Sequence, residues 1–521
     1  MLRSHRIAVA AWLETALVFG VFVLEGAWPV PDTNEAHYLG KALHYWDPTW
    51  CARDFFLNSA DSHLTFYLSV GWLVRWLSFP AAAWAGRLAT WALMAFGWRS
   101  LSHALLPRWG MAIVSAGLLA ALSERCHMAG EWIIGGFEAK GLAFGLVFVA
   151  LAQVVRGRWT LGWLLIGAAS ALHVLVGGWT AIALAGAWTM LGSQRPSLRS
   201  MLPGMLLGGV IALAGVIPGL QLTRHASPAV VAEANELYVY ERLPHHLWPA
   251  KFPASFVERF LLLAAIWFAL CAFTNSDARQ NVIRRVVAAS LMIAGAGWLI
   301  SLAAPVWPAP VAGLLRFYWF RLSDAMLPLG AALVGTSWLW QCIATRRSWG
   351  IIATAVVVFG LIGHFAALTA ARMKDPAPRA DGPSKVIDYR AWRDVCRWVR
   401  EHTPADALCL TPRSSQTFKW YAQRGEVVTW KDVPQDASEL VAWWQRMEDI
   451  HGTGSIEEGS RFYGSLADTS VAHVARVARK YGVDYLVTTC DPPLALPCLY
   501  QNAVYAVYDL RDLRKRDVRG D

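Results

Sequence analysis

The chain has 521 residues, of which 56% are hydrophobic and 16% charged, with a positive mean hydropathy. Soluble globular proteins carry about a quarter charged residues, so this balance excludes an ordinary soluble domain and predicts a polytopic membrane protein. The net charge of +10 does not imply a nucleic-acid partner, because arginines gathered in cytoplasmic turns produce the same excess, and the 29 tryptophans suit membrane–water interfaces.

The first apolar run, Ile7 to Trp28, is too long for a signal-peptide core and lacks a small-x-small cleavage site, so it is expected to stay as an anchor. Apolar runs then recur to about Ala370, and eleven spans are predicted: 7–28, 81–104, 110–123, 139–155, 159–174, 177–192, 201–221, 258–274, 284–304, 322–341 and 349–370. The amphiphilic stretch "HLTFYLSVGWLVRWLSF", 63–79, carries Arg75 and is predicted to be an interfacial helix rather than a crossing.

Charge placement supports this parity. With "MLRSHR" inside, the clusters Arg99/Arg108, Arg156/Arg158, Arg195/Arg199, Arg279/Arg284/Arg285 and Arg346/Arg347 all fall in the cytoplasm. The first loop, 29–62, holds five acids against Lys41 and Arg53 and falls outside. So do 124–141, 173–179, 240–252 and 314–324, which carry most of the polar chemistry. Transporters usually carry charges near mid-bilayer and related half-repeats, and no internal repeat is evident here.

After residue 372 the composition changes. Residues 373–387 form a Pro-rich charged linker, and 388–521 alternate helical and strand patterns, predicting a small extracytoplasmic α/β domain. Strands are expected in "DALCLTP", "EVVTW", "VDYLVTT" and "AVYAVYDL", and helices at 388–404, 414–424, 436–451 and 468–481. Neither a Gly-rich dinucleotide fingerprint nor a P-loop is present, so no nucleotide is assigned. The eight cysteines show no CxxC pair, and in an oxidising compartment Cys490 and Cys498 could close a short disulfide.

The candidate chemistry begins in "PDTNEAHYLGKALHYW", where Asp32 and Glu35 stand three apart at the mouth of the first span. The simplest explanation is a capping box, with Asp32 as N-cap and Glu35 reaching back. Five acids in one loop exceed what capping needs, however. Asp32 and Glu35 are therefore candidate catalytic residues, as a general base or as ligands for a divalent cation such as Mg²⁺ or Mn²⁺, with Asp54, Asp61 and His63 in support. Cations come from other outer loops. Lys140 lies beside Glu138 in "GGFEAKG", His245 and His246 lie in "RLPHHLWPAKF", and Arg316 and Arg321 precede Asp324 in "RFYWFRLSD". Arginine binds phosphate with a planar fork of donors, and aromatic rings beside it suit a sugar face or an isoprene chain. Outer-end arginines can also merely snorkel, but they run against the positive-inside tendency, so Arg316 and Arg321 call for an anion.

With its acidic first external loop, interfacial segment, about eleven spans and external α/β domain, the chain resembles the GT-C glycosyltransferase superfamily. The stretches that carry the likeness are "NEAHYLGKALHYWDPTWCARDFF", "GGFEAKG", "PHHLWP", "RFYWFRLSD" and "LTPRSSQTFKWYAQR", which look like a bacterial branch of that group, near protein O-mannosyltransferases and aminoarabinose transferases. The resemblance implies a transmembrane domain over 1–372 in a GT-C-like arrangement. It also implies an inner-membrane location and inverting transfer of a sugar from a polyprenyl-phosphate-linked donor to a protein, lipid or glycan acceptor. The resemblance implies a catalytic aspartate in this loop, which family members often carry in an adjacent Asp–Glu or Asp–Asp pair, whereas here the pair is spaced, Asp32-x-x-Glu35, and either could be the base. The absence of a WWDxG motif argues against an oligosaccharyltransferase. A non-catalytic scaffold for envelope polymers, or a flippase of lipid-linked sugars, remains the alternative; Glu14 and Glu25 are the acids a transport path would use.

Overall fold

The computed structural model describes residues 2–345, 348–454 and 461–515; Met1 and the Arg346/Arg347 turn of the charge pattern lie outside them. The chain divides into two compact units. The first comprises Met1–Ala27, Ala85–Leu220 and Asn235–Asp375, and the second Trp28–Trp84, Gln221–Ala234 and Pro376–Asp521.

A helix lies at each of the eleven expected positions: Leu2–Gly26, Phe79–Leu105, Met111–Arg125, Ala139–Val155, Trp159–Leu172, Val174–Met190, Leu198–Gln221, Ala254–Phe273, Ala278–Ser301, Arg321–Ala344 and Ser348–Lys374. Six of them are long and apolar enough to cross a membrane, and Ala139–Val155, Trp159–Leu172 and Val174–Met190 are apolar but shorter. Arg321–Ala344 is buried over most of its length and forms the centre of the first unit. Ser348–Lys374 buries little beyond Gly350 and His364, so its apolar surface suits lipid. The segment expected outside at 173–179 is mostly helical, because Gly177 and Gly178 lie inside Val174–Met190.

Helices Trp159–Leu172 and Leu198–Gln221 meet through small residues. A Cβ at Gly204 would lie 2.2 Å from the Thr160 carbonyl oxygen, one at Gly208 2.5 Å from that of Trp163, and one at Gly167 2.1 Å from that of Gly208. Without a hydrophobic drive between helices in lipid, such backbone contact supplies the packing energy.

The second unit contains a five-stranded sheet in the order β2-β1-β3-β5-β4, with β1 Leu408–Leu410, β2 Gly425–Glu426, β3 Tyr485–Thr489, β4 Cys498–Gln501 and β5 Tyr505–Asp509. Strand β1 runs parallel to β2 and β3, while β5 is antiparallel to β3 and β4. Helix Tyr389–His402 covers the sheet with Trp392, Val395 and Val399, which join Phe418, Val487, Tyr505 and Val507 in one core. The first long loop belongs to this unit too: helix Glu35–Trp46 is followed by turns and by Leu64–Ser69.

Three sequence expectations need correction here. The 63–79 segment is not one helix: Leu64–Ser69 ends at Val70, and a 3-10 turn Gly71–Arg75 follows, where a Cβ at Gly71 would sit 3.0 Å from that of Ala42. The strand expected at "EVVTW" is confined to Gly425–Glu426, and the helix expected over 414–424 shrinks to Phe418–Ala422. Cys490 and Cys498 are unpaired, as are the other six cysteines, and the Cys490 thiol instead faces the Ala503 carbonyl.

Gly208→Leu should force the two helices apart and destabilise the protein by roughly 1–3 kcal/mol or more. A thermal melt in detergent reads the loss, and an unchanged melting temperature would contradict the close contact.

Candidate functional site

The acids of the first loop divide by what holds them. The helix starting at Glu35 has Asn34 as N-cap, without a side-chain cap bond. Glu35 reaches back and accepts the Asp32 amide at 2.7 Å, which is half of the expected capping box. The other half is missing, because Asp32 Oδ1 accepts the adjacent Thr33 amide at 2.7 Å instead. Asp32 is 1% exposed, and its Oδ2 is buried without a hydrogen bond. A buried carboxylate oxygen left without a donor costs about 1–3 kcal/mol, so this is a position awaiting a proton donor.

Asp54, Asp61 and His63 each have partners within the second unit. Asp61 lies 3.5 Å from Lys41, whose buried ammonium also donates to the carbonyls of Phe56 at 3.0 Å, Leu57 at 2.8 Å and Ser59 at 2.5 Å. That ammonium is a spoke around which the 56–61 turn closes. His63 Nε2 pairs with the Tyr38 hydroxyl at 3.1 Å. Asp54 is fully buried, with Oδ1 accepting Leu57 N at 2.8 Å and Oδ2 accepting the Glu426 amide at 2.9 Å.

Asp54 Oδ2 also meets a residue that the sequence reading passed over. Lys419 Nζ, in a 4% exposed side chain, lies 3.2 Å from Asp54, 2.9 Å from Glu426 and 2.7 Å from Asp432. His37 Nδ1 closes the cluster on Asp432 at 2.9 Å. Burial would push the lysine down, but the three acids outweigh it and hold it protonated. Burial drives Glu426 up to about 7, whereas Lys419 and His37 overcome burial at Asp432 and hold that carboxyl well below its usual range. Two further contacts tie the Asp32 segment to the C-terminal domain: Lys431 Nζ donates to Asn34 Oδ1 at 2.6 Å, and Gln416 donates to the Thr33 carbonyl at 3.4 Å.

In the first unit, the loop between Met111–Arg125 and Ala139–Val155 carries Glu131, whose carboxylate bridges Lys140 at 2.6 Å and Arg321 at 2.6 Å. Glu138 adds a second acid 3.2 Å from Lys140. Burial opposes the Glu131 charge, but Arg321 and Lys140 prevail and lower its pKa. Asp324 holds the loop from behind, accepting the amides of Met128 at 2.8 Å, Ala129 at 2.9 Å and Glu131 at 3.3 Å. His246 Nδ1 pairs with the Ala129 carbonyl at 2.5 Å, and burial pushes its pKa well down, so the ring is neutral. His245 lies against it, ring centroids 4.1 Å apart.

Arg316 differs from Lys140 and Arg321. Its guanidinium donates to the Asn235 amide oxygen at 2.5 Å, and no carboxylate pairs with it among the described residues. It sits in the turn before Arg321–Ala344, where Tyr318 adopts φ +56°, a left-handed conformation that side chains rarely take. The same tyrosine stacks under the Arg321 guanidinium at 3.9 Å. Glu14 and Glu25, which a transport path would use, are engaged elsewhere: Glu14 with Arg99 at 3.0 Å and the Gly110 amide at 2.9 Å, Glu25 with His364 at 3.0 Å.

Among the described residues no group of three or more His, Cys, Asp or Glu side chains could hold a metal ion. Asp32 Oδ2 is the open oxygen of the pair, and Glu35 Oε2 accepts an amide; a divalent cation held here would draw its other oxygens from water and a substrate phosphate.

Residues 390–450 match a family described as a domain of unknown function, DUF6798. That stretch includes Lys419, Glu426 and Asp432. No curated protein matches the chain. Among solved structures, the chain is similar to the oligosaccharyltransferase AglB of Archaeoglobus fulgidus in complex with an inhibitory peptide and a dolichol-phosphate. That likeness has 12% identity and a TM-score of 0.46, over 94% of this chain and 70% of that one. It is also similar to ArnT of Cupriavidus metallidurans bound to undecaprenyl phosphate, with 14% identity and a TM-score of 0.38, over 97% and 98% of the two chains. With TM-scores below 0.5, the functional reading rests on this chain's own residues.

Removing the ammonium from the buried cluster leaves three acids without their cation, so Lys419→Met should destabilise the second unit by about 3–5 kcal/mol, read by thermal or denaturant unfolding. Glu426 gives a pH signature. Its folded pKa of about 7 lies above the ordinary 4.5, so the folded state holds a proton that the unfolded chain releases. Its contribution is full below pH 4.5 and is lost as pH rises through 7. Wild type should therefore lose on the order of 2–3 kcal/mol more stability than Glu426→Gln between pH 5 and 8. Parallel pH profiles for the two would refute this.

Proposed function

We propose that the protein is a GT-C-type membrane glycosyltransferase. It moves a sugar from a polyprenyl-phosphate-linked donor to an acceptor on the extracytoplasmic face, with inversion, its N-terminus cytoplasmic and its C-terminal domain outside. The observation that carries the reading is Asp32, whose Oδ2 is buried and without a donor while every other first-loop acid described above is paired or bonded. A hydroxyl is the natural partner for such an oxygen. Accepting that proton makes the hydroxyl a nucleophile, and a neighbouring carboxylate acting this way is worth about 10²–10⁴ in rate. Glu35 is a positioning residue: by holding the Asp32 amide it fixes the carboxylate's place.

Displacement at the anomeric carbon breaks the bond from that carbon to the donor phosphate, and the departing phosphate carries the negative charge. Arg316 is the cation suited to take it, because its present partner is a neutral amide. Lys140 and Arg321 are already balanced by Glu131 and Glu138, and they contribute a second basic region on the same unit. The neutral His246 ring offers hydrogen bonds rather than charge at physiological pH. The engagement of Glu14 and Glu25 in local pairs favours this reading over a flippase.

Asp32→Asn should leave the melting temperature within a few degrees of wild type while cutting transfer from a polyprenyl-phosphate sugar about 10²–10⁴-fold. Glu35→Gln keeps an oxygen for the amide and should cost less than about 10-fold, a difference of under 1.4 kcal/mol in barrier. Arg316→Gln should weaken donor use, seen chiefly in KM. Full activity in Asp32→Asn would remove the proposed base.

A further inference from the structure

Arg413 belongs to none of the clusters above. It lies in the turn 412–415 of the C-terminal domain, pinned where the Trp430 amide donates to its carbonyl at 2.9 Å. Its half-buried guanidinium lies 5.4 Å from the Trp430 ring centroid and 5.0 Å from that of Phe462. Among the described residues no carboxylate pairs with it, its side chain makes no hydrogen bond, and its Nε is buried without a partner. Desolvation is the cause that lowers its pKa. Stacking between two rings satisfies the faces of a guanidinium and leaves its in-plane N–H fork open.

The surroundings carry two more unsatisfied groups. His451 is 2% exposed with Nε2 unpartnered, and burial, with Arg413 next among the causes, drives its pKa down to about 3, so a neutral ring lies within electrostatic reach of the guanidinium. Ser415, in the same turn, is 1% exposed with an unpartnered hydroxyl. The pairing of 451–453 with 461–463, through the Gly452–Phe462 bridge and Tyr463 N to His451 O at 2.8 Å, connects Phe462 to His451. Trp444 packs behind, 6.0 Å from Phe462 and 6.4 Å from Trp430. By contrast Arg461, which stacks on Trp444 at 4.4 Å, is balanced by Glu448 at 2.8 Å. The chemistry agrees: among the described residues there is a cation without an acid partner, two half-buried aromatic rings, and buried polar atoms without hydrogen bonds.

We infer that Arg413, Trp430, Phe462 and His451 form a binding site for an anionic saccharide, whose carboxylate or phosphate takes the Arg413 fork while the sugar lies beside the half-buried Trp430 and Phe462 rings. The site deepens the transferase reading by assigning the acceptor's chemistry, a negatively charged envelope glycan, and it rests on that reading only for the role of acceptor. Binding itself is independent of turnover.

The test uses the full-length protein in detergent micelles and measures binding of three oligosaccharides of equal length by calorimetry: a uronic-acid oligomer, a sugar-phosphate oligomer and a neutral oligomer. The acidic oligomers should bind at least 10-fold more tightly than the neutral one, and whichever acidic oligomer binds better identifies the source of the charge. Arg413→Gln should lose at least 10-fold of that affinity without a fall in melting temperature. Arg413→Lys, which keeps the charge but not the planar fork, should recover only part of it. Equal binding of acidic and neutral oligomers, binding of none, or unchanged affinity in Arg413→Gln would each overturn the inference.

Discussion

The buried ammonium of Lys419 organises the second unit. One side chain of the C-terminal domain meets Glu426 and Asp432 from that domain and Asp54 from the first long loop, all nearly free of solvent. Desolvation offsets much of the Coulomb gain in such a cluster, but removing one member leaves uncompensated buried charge. The consequence is positional. With Asp54 locked by Lys419 and the Glu426 amide, and with Lys431 and Gln416 holding Asn34 and Thr33, the segment carrying Asp32 cannot drift from the α/β domain. Residues nearly 400 positions apart thereby set one carboxylate.

Charge balance then separates scaffold from chemistry. Among the described residues several buried acids have a partner of opposite sign: Glu14 with Arg99, Glu131 with Lys140 and Arg321, Asp432 with Lys419. Unpaired buried polar atoms are costly and rare, so the exceptions mark places where a ligand completes the structure. Among the described residues Asp32 Oδ2 and Arg413 Nε are two such atoms, and Arg316 has a neutral amide rather than an acid as its partner.

Much of the helical unit was legible in the sequence, because apolar runs of membrane length announce themselves locally. A helix lies at each expected position, and the misplacements concern ends, as where Val174–Met190 takes in Gly177 and Gly178. The small domain was legible in its buried strands β1, β3 and β5 but not in β4, whose "CLYQ" is largely exposed and carries a bulge, so it lacks the apolar signature. The break at Val70 was hidden because it follows from Gly71 packing against Ala42, a tertiary contact. Within the candidate site, an excess of first-loop acids was visible, but not which were spoken for: the partners of Asp54 lie more than 360 residues away. Lys419 did leave a sign, a single cation inside the aromatic run "TFKWYA". A lysine in such company is either buried with acids or misplaced. Glu131 left none, since its pairing with Arg321 depends on a loop held by Asp324.

Mass spectrometry of lipid-linked saccharides in cells tests the central claim most directly. If Asp32 delivers an acceptor to a polyprenyl-phosphate sugar, deletion of the gene should cause one such donor to accumulate. Wild-type protein should clear it, whereas a stable Asp32→Asn protein inserted at normal level should not. A donor profile that deletion leaves untouched, or that the variant restores as fully as wild type does, would contradict the account.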